Sequence, residues 1–210
     1  MTQKRLAPHQ WFGRAKPALD QVFRQFDFKQ TVFTDAASVR LILDTNDDYF
    51  LSREQFRAAC VAAQHVGDTS YFFSVVRGYI SRAEDMPYRT WELPLFDYDA
   101  YVTAEDIGFA ERDDVVVPDR IEKDIALDRL LYSPAGEWGI LTVELIALVG
   151  GSAAFVTRFG EEYPRWERDT ELFLEKMREA ALKRNVDASW VQPLLGHIYG
   201  RGAPRFELSR

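Results

Sequence analysis

The sequence predicts an α+β protein, a mostly antiparallel sheet with packed helices followed by a helical C-terminal third. Three observations carry that expectation. Short β-branched and aromatic runs recur at irregular intervals, without the steady strand–helix alternation of a doubly wound parallel sheet. Two pairs of these runs flank turn-rich segments, as the arms of hairpins do. From Asp169 onward the chain turns to Leu, Glu, Lys, Met and Ala at helical spacing. A chain of 210 residues with 47% apolar content can bury a full core.

Residues 1–19 are basic and carry Pro8, Gly13 and Pro17, so they read as an N-terminal arm that docks through Trp11 and Phe12. The α+β core spans 20–164. Its first predicted unit is a hairpin of Val39–Leu43 and Tyr49–Leu51 around Asp44-Thr45-Asn46-Asp47-Asp48. Ser52 then stands three residues before Gln55, a capping-box spacing in which each side chain satisfies a backbone N–H. That predicts a helix from about Arg53 to Val66, with Phe56, Cys60 and Ala63 on one face and Gly67 as the stop. Tyr71–Val76 is an aromatic and β-branched run that reads as a central strand. Trp91–Phe96 reads as an edge strand, because Pro94 cannot donate to a ladder.

Leu130–Tyr132 and Trp138–Val143 bracket Ser133-Pro134-Ala135-Gly136-Glu137, a second hairpin. Glu144–Val149 continues as a further strand. Gly150-Gly151 reads as a sharp reversal before Ser152, the cap of a helix through Phe155, Val156 and Phe159. The C-terminal segment, 165–210, is expected to pack on the core. Its main helix runs from Asp169 or Thr170 to Arg184 and closes at Asn185, and a shorter one lies around Ser189–Leu195.

Motifs that carry chemistry break off at named residues. Asp44-x-Asn46-x-Asp48 opens like a calcium loop, but the sixth position is Tyr49 instead of glycine and the twelfth is Gln55 instead of a bidentate carboxylate. His9, His65 and His197 are isolated, and none has the spacing that puts two imidazoles on one metal. His65 falls in the last turn of its helix, which reads as a structural position and not a catalytic one. Gly150-Gly151-Ser152 matches neither nucleotide-binding glycine pattern, and neither Ser133 nor Ser152 has a nucleophile-elbow context. The single cysteine, Cys60, sits in an Ala-rich stretch and reads as a small core side chain. No motif requires a cofactor. The five tryptophans are not interleaved with a basic cluster, which argues against nucleic acid, and no apolar stretch reaches the length of a membrane span. With no apolar leader pattern near Met1, the expected location is cytoplasmic.

Charge is the feature that points to a partner. Between Asp97 and Asp124 there are ten acidic and three basic residues, which together carry the whole formal net charge of −7 and leave the rest of the chain balanced. Two readings of this stretch stand. It is a solubilising surface, or it is a partner-facing patch in which aromatics lie among steering carboxylates. The candidate partner-binding residues are Asp97, Tyr98, Asp99, Tyr101, Glu105, Asp106, Phe109, Glu111, Asp113 and Asp114.

Leu130–Ile140, followed by Ala147–Gly151 and Phe155, resembles small bacterial immunity-type proteins of polymorphic toxin systems. The resemblance covers about a sixth of the chain. It implies a cytoplasmic α+β protein that neutralises a toxin by binding it, and it brings no functional residues. The leading expectation is therefore a non-catalytic protein-binding module that docks an acidic face on a basic partner. The alternative is a metal-assisted hydrolase built on carboxylates such as Asp97, Asp99 and the Asp113–Asp114 pair. Assembly of like subunits through the C-terminal helix is a third reading.

Overall fold

The computed structural model describes residues 5–45, 50–77, 89–110, 127–143 and 146–208. In chain order these form α1 (Pro8–Gln10), a π-helical segment (Trp11–Ala15), α2 (Lys16–Val22), β1 (Val39–Asp44), α3 (Arg53–His65) and β2 (Ser70–Arg77). Next come β3 (Arg89–Pro94), α4 (Tyr98–Ala110), β4 (Leu127–Tyr132), β5 (Trp138–Thr142) and β6 (Ile146–Gly151). The chain closes with α5 (Ala153–Glu162), α6 (Trp166–Arg184) and α7 (Val191–Tyr199). The described strands form one sheet in the order β1-β6-β5-β4-β2-β3, with every neighbouring pair antiparallel. This is the α+β architecture that the sequence predicts, with a helical C-terminal part.

Helices cover both faces, so the strands are apolar on both. Successive residues of β2 point to opposite sides, as the pleat requires. Phe72 joins a core with Trp11, Leu19, Phe23, Phe33, Ile42, Tyr132, Phe173 and Leu195, contributed largely by the N-terminal helices, α6 and α7. Tyr71 and Phe73 join a second core with Phe56, Trp91, Tyr101, Leu131, Trp138, Phe155 and Phe159, under α3, α4 and α5. The segment read as an arm is thus mostly helical. Trp11 docks as expected, but Phe12 is 65% exposed.

Several local readings hold. Ser52 and Gln55 form the capping box, with Ser52 Oγ accepting from the Gln55 N–H and Gln55 Oε1 accepting from the Ser52 N–H. β4 and β5 form the hairpin around 133–137, where Gly136 takes φ 74°. β3 is an edge strand. Asn185 closes α6 in the left-handed conformation, φ 53°.

Two readings are corrected. The hairpin of Val39–Leu43 with Tyr49–Leu51 is not seen among the described residues: β1 pairs with β6, Val39 opposite Gly151, and Phe50 and Leu51 lie in no strand. Leu51 is apolar because it is buried at the start of α3, where its N–H donates to the Tyr101 hydroxyl at 3.0 Å. Tyr49 lies outside the described residues. Nor is Gly150-Gly151 a reversal: both lie in β6, and neither has positive φ. Their role is close approach. Gly150 faces Gly139 across β5 and β6, and Phe33 and Phe23 lie on these two glycines with their rings stacked 5.5 Å apart. A Cβ would stand 2.7 Å from the Phe33 ring at Gly150 and 2.5 Å from Phe23 at Gly139. Gly151 makes the same kind of room for Trp138 and Phe155 on the other face.

Candidate functional site

The acidic stretch begins at a turn that the core holds firmly. After β3, Phe96 adopts φ 67° and is 48% exposed, while its N–H donates to Cys60 Sγ at 3.3 Å. Asp97 then caps α4, its Oδ1 accepting from the Ala100 N–H at 2.8 Å, where a carboxylate also meets the positive end of the helix dipole. Tyr98 donates its hydroxyl to the Leu51 carbonyl and packs edge-on to Phe56. Tyr101 is fully buried and stacks on Phe56 at 4.9 Å, which makes it a core residue with no surface to offer a partner.

Asp99 is the described carboxylate of this group that reaches solvent most fully. It is 83% exposed at its side chain and pairs with Arg53 at 3.1 Å, and the Arg53 guanidinium lies 4.4 Å over the Tyr98 ring. The first turns of α3 and α4 therefore meet in an Arg–Tyr–Asp surface cluster. An exposed pair of this kind contributes little to stability, about 0.5 kcal/mol. Glu105, Asp106 and Phe109 follow on the same helix, and Glu111, Asp113 and Asp114 lie outside the described residues. Of the carboxylates proposed for a hydrolase, Asp97 is committed to its cap, Asp99 faces Arg53, and the Asp113–Asp114 pair is outside the described residues.

The densest buried polar cluster lies elsewhere, and the sequence did not disclose it. Where β1 ends, α3 begins and α6 begins, Gln55 Nε2 donates to the Asp44 carbonyl at 2.8 Å and to Asp169 Oδ2 at 3.1 Å. The Tyr163 hydroxyl donates to the same Asp169 oxygen at 3.0 Å, and Lys176 Nζ meets Asp44 Oδ1 at 2.8 Å. Burial pushes the Asp169 carboxyl up, with the bonds from Tyr163 and Gln55 opposing it. Burial also pushes the Tyr163 phenol up, helped by the Asp169 charge beside it. Tyr163 and Gln55 both donate inward, so the cluster ties helix starts to a strand end and presents no free nucleophile. Among the described residues, no group of three or more His, Cys, Asp or Glu side chains is placed to hold a metal ion.

His197 belongs to a similar tie. Its Nε2 accepts from the Phe33 N–H at 3.2 Å, and Arg40 donates to its carbonyl at 2.7 Å. Burial, with the Arg40 charge adding to it, holds the imidazole down at about 4. Cys60 is buried, and that burial raises its thiol to about 11, the setting of a packing residue.

Comparison with protein-family models, with curated proteins and with solved structures found no match to this chain. What the described geometry can do at the start of α4 is present charge on a rigid base. Among the described residues, no helix is long and apolar enough to cross a membrane.

Proposed function

We propose that the protein is a non-catalytic protein-binding module, an immunity-type inhibitor in its mode of action, that docks the acidic segment 97–124 on a basic surface of another protein. The observation that carries this reading is the confinement of the entire net charge to that segment. Supporting it, the segment starts on a helix fixed to the core by the Asp97 cap, the Tyr98 hydroxyl and buried Tyr101. Groups held at the start of that helix lose little freedom on docking, and the net charge of the segment speeds encounter with a basic partner.

The test is charge reversal. Replacing Glu105, Asp106, Asp113 and Asp114 by Lys in the full chain should lower affinity for a captured basic partner at least tenfold and flatten its salt dependence. Unchanged affinity and salt dependence would sink the assignment. Calorimetric binding of magnesium, manganese or calcium to the unmodified chain would favour the carboxylate-based hydrolase instead.

A further inference from the structure

A groove of about 600 Å³ runs along the outer side of β1. α5 walls it on one side through Val156 and Gly160, and α7 walls it on the other through Ile198 and Tyr199. Trp166 closes over Gly160, where a Cβ would stand 3.2 Å from the indole Nε1. The floor is the edge of the sheet itself.

That edge is half closed. In an antiparallel pair, residues whose N–H and C=O face the partner strand alternate with residues whose groups face away. The Ile42 N–H donates to the Tyr199 hydroxyl at 3.3 Å and the Ile42 carbonyl accepts from Thr170 Oγ1 at 3.3 Å, so Ile42 faces away from β6. Tyr199 and Thr170 are themselves joined at 2.7 Å. The relay that satisfies all four groups runs from the Ile42 N–H through Tyr199 and Thr170 back to the Ile42 carbonyl, and it stands in for a missing strand. Two residues on, the Asp44 carbonyl takes Gln55 Nε2. Two residues back, the same alternation turns the Arg40 N–H and C=O outward, into the groove.

We propose that this groove binds an extended peptide segment of a partner protein by strand addition at Arg40. The floor and the walls together select this occupant. A donor and an acceptor spaced as in one residue's backbone are complemented by another backbone, which exchanges both bonds with Arg40. The residue opposite Arg40 directs its side chain toward Ile198, and its two neighbours direct theirs toward Val156 and Gly160, so apolar residues are favoured at these positions. Arg40 is held ready, because its guanidinium donates to the carbonyls of Ala37, His197 and Thr34 at 2.8, 2.7 and 3.0 Å. The chain uses the same chemistry at its opposite edge, where the Leu6 N–H donates to the Thr90 carbonyl of β3 at 2.8 Å. Among the described residues, none of 97–110 lines this groove.

The probe is a displayed library of seven-residue peptides selected against the full chain, with the selected sequences synthesised for calorimetry. Selected peptides should carry apolar residues at alternate positions and slow hydrogen exchange at the Arg40 amide. N-methylation of the residue that pairs with Arg40 should lower affinity at least tenfold, while N-methylation of its neighbour should leave it within twofold. Thr157→Trp, which fills the groove from an exposed position on α5, should also cost at least tenfold, and Asp99→Lys should leave affinity within twofold. Failure to select any peptide, a flat N-methyl scan, or loss with Asp99→Lys but not with Thr157→Trp would each overturn the inference. The N-methyl arm alters only the peptide, so it reads the same whether or not the Thr157 variant folds.

Discussion

The two edges of the sheet are closed by different means. At β3 the main chain does the work: Arg5 bridges to Trp91, and the Leu6 N–H donates to Thr90. At β1 side chains do it, with Tyr199 and Thr170 at Ile42 and Gln55 at Asp44. A main-chain cover repeats at the strand's own period and covers what it lies on. Side chains reach only where a helix brings them, so among the described residues β1 is covered from Ile42 to Asp44 and open at Arg40. An edge left open in a walled groove is a template for another strand.

Gln55→Leu should break the β1 side most severely, because Gln55 satisfies the Ser52 N–H, the Asp44 carbonyl and Asp169 at once. The expected loss is about 3 kcal/mol in urea unfolding, since three buried groups lose a partner. A control away from both edges is Asp128 on β4, whose carboxyl burial raises from its ordinary 3.8 to about 7. A folded-state value above the unfolded one means that stability is greatest below pH 3.8 and is lost as pH rises toward 7. Asp128→Asn should therefore stabilise by about 4 kcal/mol at pH 8 and by less than about 1 kcal/mol near pH 4, as read from unfolding curves at both pH values. A constant gain at both would show that ionisation is not its cause.

Tyr199→Phe opens the relay at Ile42. It should cost about 1.5 kcal/mol and speed hydrogen exchange at the Ile42 amide, with little change at Thr90 on the far edge. Leu6→Pro is the matching change on the β3 side. It removes the N–H that bonds the Thr90 carbonyl and should cost about 1 kcal/mol. If Leu6→Pro proved as costly as Gln55→Leu, the contrast between main-chain and side-chain closure would fail.

Legibility in the sequence followed the range of the interaction. Ser52 with Gln55, Asn185 after α6, Pro94 in β3 and the turn at 133–137 were all readable, because each partner lies within a few residues. Gly150-Gly151 was misread for the complementary reason: two glycines look like a turn until Phe33 and Trp138, distant in sequence, are seen to need the room. Leu51 was misread in the same way, since an apolar residue in a strand and an apolar plug under a helix look alike in composition. In the candidate site, the charge of 97–124 was plain from counting. The commitment of Asp97 to a cap and of Tyr101 to the core was not, because exposure depends on what the rest of the chain packs against. The polar cluster around Asp169 left no local signal at all, since its members come from the end of β1, the start of α3 and the region from Tyr163 to Lys176.

By itself the sequence determined the α+β class, most element positions and the confinement of net charge to Asp97–Asp124. These rest on side-chain periodicity, capping within one turn and simple summation of charge. Only the tertiary structure decided that β1 pairs with β6, that helices cover both faces, and that Tyr199, Thr170 and Gln55 cap half of an edge. Those outcomes depend on which distant surfaces bury each other, and a residue's local propensity carries no record of that.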